Sequence, residues 1–323
     1  MIYMLFDNPA DKKNMEFLNE YETADIRQIY PTQKCNSTKE MLSVCKDMIK
    51  QSVEGDTIIC WYDFMAVLCW WLCKLQFKNR KIIALNILLK DKATTKNKLA
   101  KLLYKPVLMS NKVKATVTSK KYGEHLNEMF GIHKDYTLLH DIYHGGYSIH
   151  YEGEVHQNTV FCGGRNGRDW EFLIKIAQEM SEVTFNCVMP KDKFDQYKEK
   201  IGKNMVVKSE ISEQEFLEFM CQSQLVVTPL DTEAPAGLIA FYQAAANGKM
   251  VITLDTVTTQ EYFSDGRGAL CGRNLEDWKN KIHYYLQNRE NADFNAIKFK
   301  KFLENECSEE KYAKTLTQLL KLL

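Results

Sequence analysis

The sequence contains no C-x-x-C pair, although cysteine is present ten times, at 35, 45, 60, 69, 73, 162, 187, 221, 271 and 307. That excludes the zinc-ribbon and thioredoxin signatures. Several cysteines sit in apolar runs such as Thr57-Ile58-Ile59-Cys60 and Phe185-Asn186-Cys187-Val188, where a free thiol behaves as a small hydrophobe. Reduced thiols in a reducing compartment are expected. Excess charge is missing as well. Lysine and arginine total 43 against 42 aspartates and glutamates, a formal charge of +1, so no nucleic-acid partner is expected from bulk electrostatics. No run reaches the ~18 consecutive apolar residues of a membrane-crossing helix. Met1-Ile2-Tyr3-Met4-Leu5-Phe6-Asp7 lacks both a basic start and a long apolar stretch, so no signal peptide is expected and a cytoplasmic location is. Solenoid-length repeats and low-complexity tracts are absent too.

What is there reads as two α/β domains. The chain has 323 residues, 45% apolar and 11% aromatic, enough for two ordinary cores at roughly 150 residues each. Short β-branched or aromatic runs at 2–6, 26–30, 57–62, 81–87, 115–119 and 137–140 alternate with helix-length patterns. A second series follows at 158–163, 183–189, 205–209, 225–229 and 250–254. Such alternation predicts parallel sheets covered on both faces, hence two Rossmann-like doubly wound domains. The expected bounds are 1–150 and 151–300, with a helix in 301–323 that packs back on the first domain. Its apolar positions 312, 316, 319, 320 and 323 share one face. Gly145, Gly146 and Gly153 mark the expected hinge.

The strongest local signal is Val160-Phe161-Cys162-Gly163-Gly164-Arg165-Asn166-Gly167-Arg168-Asp169-Trp170, followed by a helical run. Strand, glycine turn and helix bring backbone N–H groups to an anion. Two of the chain's seven arginines lie in that turn, and guanidinium groups suit a terminal diphosphate. The turn is neither G-x-G-x-x-G nor a P-loop. An ordinary surface turn with Asp169 capping the helix is the bland alternative. A second signal runs from Val226 through Pro229, Glu233 and Gly237 to Gly248. A strand ends, an acidic loop follows, and a helix begins near Ala236 and stops at Asn247-Gly248. Its loop leaves the carboxyl end of a strand, where open α/β sheets bind ligands.

In this order and separation the two segments resemble the second domain of GT-B glycosyltransferases, most nearly the retaining, family-four-like enzymes of bacterial polysaccharide assembly. The likeness rests on Gly164-Arg165 with Arg168-Asp169, on Gln243-Ala244-Ala245-Ala246-Asn247-Gly248-Lys249-Met250-Val251-Ile252, and on Glu261 to Gly268. It implies a GT-B architecture, two domains facing across a cleft, and a nucleotide-sugar donor, UDP- rather than GDP-linked. It also implies a donor site of Gly164, Arg165, Arg168, Gly237, Leu238 and Gln243. The acceptor implied is a glycan or a lipid-linked glycan. The sequence departs from the family at Gln243, where a second glutamate is usual, and at Pro235, eight residues before it. Glu233, two residues away, is the candidate for the first glutamate's catalytic place. No D-x-D motif occurs, in keeping with metal-independent chemistry and no separate cofactor. Two alternatives share these features: a sugar-nucleotide epimerase of the same shape, and a non-catalytic glycosyltransferase-like partner subunit.

Three further candidates come from the residues alone. Asp63 follows an apolar strand and precedes a helix, so it is expected at a cleft edge as a catalytic group, or as a helix cap. His144 is expected to line the cleft or touch the acceptor. Residues 90–114 hold eight lysines and one acid, Asp91. Within them Lys98, Lys101 and Lys105 flank Leu99, Leu102 and Leu103, the pattern of a helix docking on an anionic membrane surface, or of a solvated basic face. This would place the protein peripherally on the inner face of the plasma membrane.

Overall fold

A computed structural model describes residues 1–21, 25–90 and 94–322. The chain divides into two compact units, Met1–Ile142 with Glu309–Leu323, and Tyr143–Ser308. The break therefore falls eight residues before the expected 150/151 join.

The first unit holds β1 (Ile2–Leu5), β2 (Ile26–Ile29), α1 (Thr38–Gln51), β3 (Thr57–Cys60), α2 (Asp63–Leu75) and β4 (Lys81–Ala84), then α3 (Thr95–Met109), β5 (Val113–Val117), α4 (Lys120–Phe130) and β6 (Thr137–Leu138). Its six strands are parallel in the order β2-β1-β3-β4-β5-β6. β3 is buried along its whole length, as a strand covered on both faces must be, and such strands read as continuous apolar runs.

The second unit holds β7 (Thr159–Gly163), α5 (Trp170–Gln178), β8 (Thr184–Val188), α6 (Lys191–Tyr197), β9 (Met205–Lys208), α7 (Glu213–Cys221) and β10 (Leu225–Thr228). α8 (Leu238–Ala246), β11 (Met250–Leu254), α9 (Thr259–Phe263), β12 (Ala269–Cys271), α10 (Leu275–Gln287) and α11 (Arg289–Glu306) complete it. This sheet is also parallel, ordered β12-β11-β10-β7-β8-β9. Its core closes on large side chains, among them Phe161, Phe185, Phe241, Tyr242 and Trp278. Each such burial stabilises by roughly 1.5–3 kcal/mol before conformational entropy is counted.

The last helix, α12 (Glu309–Lys321), belongs to the first unit. Tyr312 meets Phe17 edge-on at 6.0 Å, and Ala313, Leu316 and Leu319 are buried with it. The returning segment starts at Glu309 rather than 301, because 289–306 form a helix of the second unit. α11 escapes a reading by apolar spacing: half of its buried residues are alanines, Ala292 and Ala296 beside Phe299 and Leu303. The short β12, three residues long, likewise carries no apolar run that marks a strand. All ten cysteines are buried free thiols. No helix among the described residues is long and apolar enough to cross a membrane.

Candidate active site

In the second unit the strand order reverses between β7 and β10. The chain leaves β7 for β8 and β9 on one side and returns to β10 on the other, with Val160 opposite Leu225. Ligands of open α/β sheets bind outside the carboxyl ends of strands at such a switch point. The loops leaving these two strands are the two segments singled out above, and they are joined. Asp231 N–H donates to the Gly167 carbonyl at 3.0 Å, Asp169 N–H to the Pro229 carbonyl at 3.0 Å, and Arg168 bridges to Leu230.

Glycine is required at two points of the first loop. Gly164 has φ +127° and a side chain there would overlap the Arg168 guanidinium. Gly167 has φ +72°, and a methyl group would stand 2.6 Å from Ala236 Cβ. The turn thus closes on its own arginine and on the second loop, leaving no room for Cβ.

The two arginines have different positions. Arg168 is 9% exposed. Its Nε and Nη2 donate to the Gly163 carbonyl at 3.0 and 2.8 Å, and Nη1 donates to the Asn166 carbonyl at 2.7 Å. It braces the turn from inside, not from the ligand side where it was expected with Arg165. Arg165 is exposed and has no ion pair or hydrogen bond among the described residues. Asp169 caps α5, accepting from Phe172 N–H at 3.0 Å.

In the second loop, Glu233 is half-buried. One carboxylate oxygen accepts from Val257 N–H at 3.0 Å, and its carbonyl accepts from the Thr258 hydroxyl at 2.7 Å. Gly237 precedes α8 in a left-handed conformation, and no side chain caps that helix. Its first N–H groups therefore remain available to an anion. Leu238 is buried at its start. Gln243, further along α8, is buried too, and its amide nitrogen donates to Glu213 Oε1 at the start of α7, 3.2 Å away. Glu213 lies thirty residues away in a segment whose only sequence signal is the capping box of Ser212 and Glu215, so the pairing was not legible.

His144 lies in the second unit, stacked on Tyr147 with ring centroids 4.0 Å apart. The expected hinge is fastened down: Asn247 donates to the Tyr147 carbonyl at 2.9 Å and accepts from Ile149 N–H at 3.1 Å.

In the first unit Asp63 is 2% exposed. It accepts from Phe64 N–H at 2.9 Å, Leu88 N–H at 3.0 Å and the Tyr104 hydroxyl at 3.1 Å. Burial pushes its carboxyl up to about 6, against these donors, which pull the other way. Asp63 therefore holds the 85–90 loop and α3 rather than standing at an open edge, and Tyr62 takes the helix-cap position. On α3, Tyr104, Val107 and Leu108 are buried while Leu99, Leu102 and Met109 are 59%, 71% and 64% exposed. Lys98 and Lys105 are exposed beside them, Lys101 is half-buried, and Asp91 and Lys92 lie outside the described residues.

Residues 165–321 match a family model described as glycosyl transferase-like. No curated protein matches the chain. Among solved structures, HepE of Anabaena in complex with UDP and glucose superposes with a TM-score of 0.74 at 12% identity, covering 100% of both chains. Sucrose-phosphate synthase from Thermosynechococcus elongatus gives 0.73 at 14% identity, over 99% of this chain and 87% of that one. A glycosyltransferase from Rickettsia africae gives 0.65 at 14%, over 99% and 97%. The fold is that of GT-B glycosyltransferases.

Proposed function

We propose that this chain is a hexosyltransferase that moves a sugar from a UDP-sugar to a glycan or lipid-linked acceptor, with retention and without a metal, in surface polysaccharide synthesis. One observation carries the reading. At the switch point of the second sheet, an exposed arginine on a glycine turn stands on a loop hydrogen-bonded to the one that opens the uncapped α8. Arg165 and the α8 amides bring positive charge to a departing diphosphate, and charge placed in advance where it develops is the largest single contribution in many enzymes. The second carboxylate oxygen of Glu233 addresses the donor sugar, while its first is fixed by Val257. The oxocarbenium-like sugar is attacked from the face the diphosphate leaves. The Anabaena neighbour's complexes with UDP and glucose and with UDP-glucose support the choice of base.

A thermal-shift panel of nucleotide-diphosphate sugars tests the donor class, because a ligand bound only by the folded state raises apparent stability by mass action. UDP-sugars should give the largest shift, and NMR of the transferred sugar should show the donor's anomeric configuration. Epimer formation without acceptor would favour the epimerase, and an inverted product would remove the retaining mechanism.

The exposed strip of Leu99, Leu102 and Met109 beside Lys98 and Lys105 supports a membrane-borne acceptor, since a basic amphipathic helix binds anionic lipid through both features. In flotation with phosphatidylglycerol vesicles at low salt the protein should rise, and the Leu99→Ser/Leu102→Ser variant should stay below. A wild-type protein that stays below ends the membrane assignment.

A further inference from the structure

We infer that the rim formed by the turns entering β3, β4 and β5 is a membrane-docking surface, with Phe77 as the side chain that enters an anionic bilayer. This rests on the membrane assignment made above for α3 and extends it to a part of the first unit outside every motif of the sequence.

Two backbone bonds close the end of α2. Phe77 N–H donates to the Lys74 carbonyl at 3.4 Å, and Lys78 N–H to the Cys73 carbonyl at 2.9 Å. That pairing puts residue 77 in the left-handed region, where glycine is the usual occupant. At the end of α4 a glycine does take that conformation, Gly131 with φ +58°. Phe77 stands at φ +54°, a conformation that crowds any Cβ, and it is 96% exposed. A ring so exposed gains little packing in return, so both features work against folding in water.

Leu75 is 71% exposed on the same turn, and Val53 is 61% exposed before β3. With Met109, before β5, they lie at the amino ends of three neighbouring strands, about 5 Å apart. The turns are tied together. Lys81 N–H donates to the Asp56 carbonyl at 3.1 Å and Ile82 N–H to the Lys112 carbonyl at 2.9 Å. The buried Arg80 guanidinium donates to Ser52 Oγ and to the Ser52 carbonyl at 2.8 and 2.6 Å. The apolar side chains are thus held out to solvent on a braced frame.

Charge selects the occupant. Between Asp63 and Glu124 the chain has thirteen lysines and Arg80 against one acid, Asp91. That is a net +13 in a chain of +1, so the remainder carries −12. Lys74, next to Leu75, and Lys105 and Lys112, on either side of Met109 in sequence, are exposed. The exposed acid beside Val53, Glu54, accepts from Asn79 at 3.3 Å. Lysines around an apolar row match a lipid surface, with ammonium groups at the headgroup phosphates and the apolar side chains reaching the acyl chains.

The test is flotation of the full chain with phosphatidylglycerol vesicles at low salt, read beside urea unfolding. Phe77→Gly should lower vesicle partitioning on the order of tenfold, as losing the burial of an aromatic side chain does. Its urea midpoint should stay at or above the wild type, because glycine relieves the left-handed turn. Phe77→Cys, carrying a polarity-sensitive thiol label, should blue-shift its emission on the same vesicles. The label is specific because the ten native cysteines are buried. Equal partitioning of Phe77→Gly and wild type overturns the inference. So does a label that stays in water on vesicles that carry the protein, the result expected if Phe77 served a protein partner. Either outcome leaves the α3 assignment standing, whereas a wild type that does not float removes both.

Discussion

Two strand-to-helix junctions, one in each unit, carry charged residues that look alike in sequence and differ in the fold. At the end of β3, Asp63 turns inward and its carboxylate meets Leu88 N–H and the Tyr104 hydroxyl. At the end of β7, Arg168 turns inward onto Gly163 and Asn166 while Arg165 remains outside. A charged side chain next to a strand's carboxyl end is thus no ligand group by position alone. What separates brace from ligand group is whether nearby backbone already satisfies the charge. Glycine decides it at β7: without a Cβ at 164 the Arg168 guanidinium folds back over the turn, and Arg165, one residue on, finds no backbone carbonyl.

The contrast breaks most readily at Arg165. Arg165→Ala should lower transfer by about 10²–10³-fold, the usual loss when one transition-state donor is removed, and leave the urea midpoint close to wild type, as surface substitutions do. Near-normal transfer would take Arg165 out of the site. Arg168→Ala should behave in the opposite sense. It strips the buried Gly163 carbonyl and the part-buried Asn166 carbonyl of their donor, and stability should fall on the order of 2 kcal/mol in urea unfolding. A stable Arg168→Ala protein that fails to bind UDP would make it a ligand group after all.

Asp63 sharpens the other half of the comparison through pH. Burial raises its carboxyl from 3.8 to about 6 in the fold, so between these values the folded state holds a proton that the unfolded chain has released. The contribution of this group to stability is therefore full below about pH 3.8 and declines as pH rises through about 6. Asp63→Asn removes the titration, and the difference in urea midpoint between variant and wild type should change across that window and be flat above it. A difference independent of pH would show that Asp63 does not titrate there.

The strands, and the glycine turn as an anion site candidate, were legible because they rest on local pattern. Buried parallel strands are apolar throughout, and Gly164 with Gly167 marks backbone that no side chain permits. α11 was not legible, since Ala292 and Ala296 give little apolar periodicity. Neither was the fate of Asp63, whose partners Leu88 and Tyr104 come from distant parts of the chain.

The amino-acid order by itself determined most of the strand and helix segments, α11 and β12 excepted, and that two doubly wound sheets follow, because propensity and apolar period act over a few neighbours. Only the tertiary structure decided which charges are inside. It brought Gly163 to Arg168 and Tyr104 to Asp63, and it set Glu213 against Gln243. Desolvation and hydrogen-bond partners depend on what packs around a group, and most of what packs there lies far away in sequence.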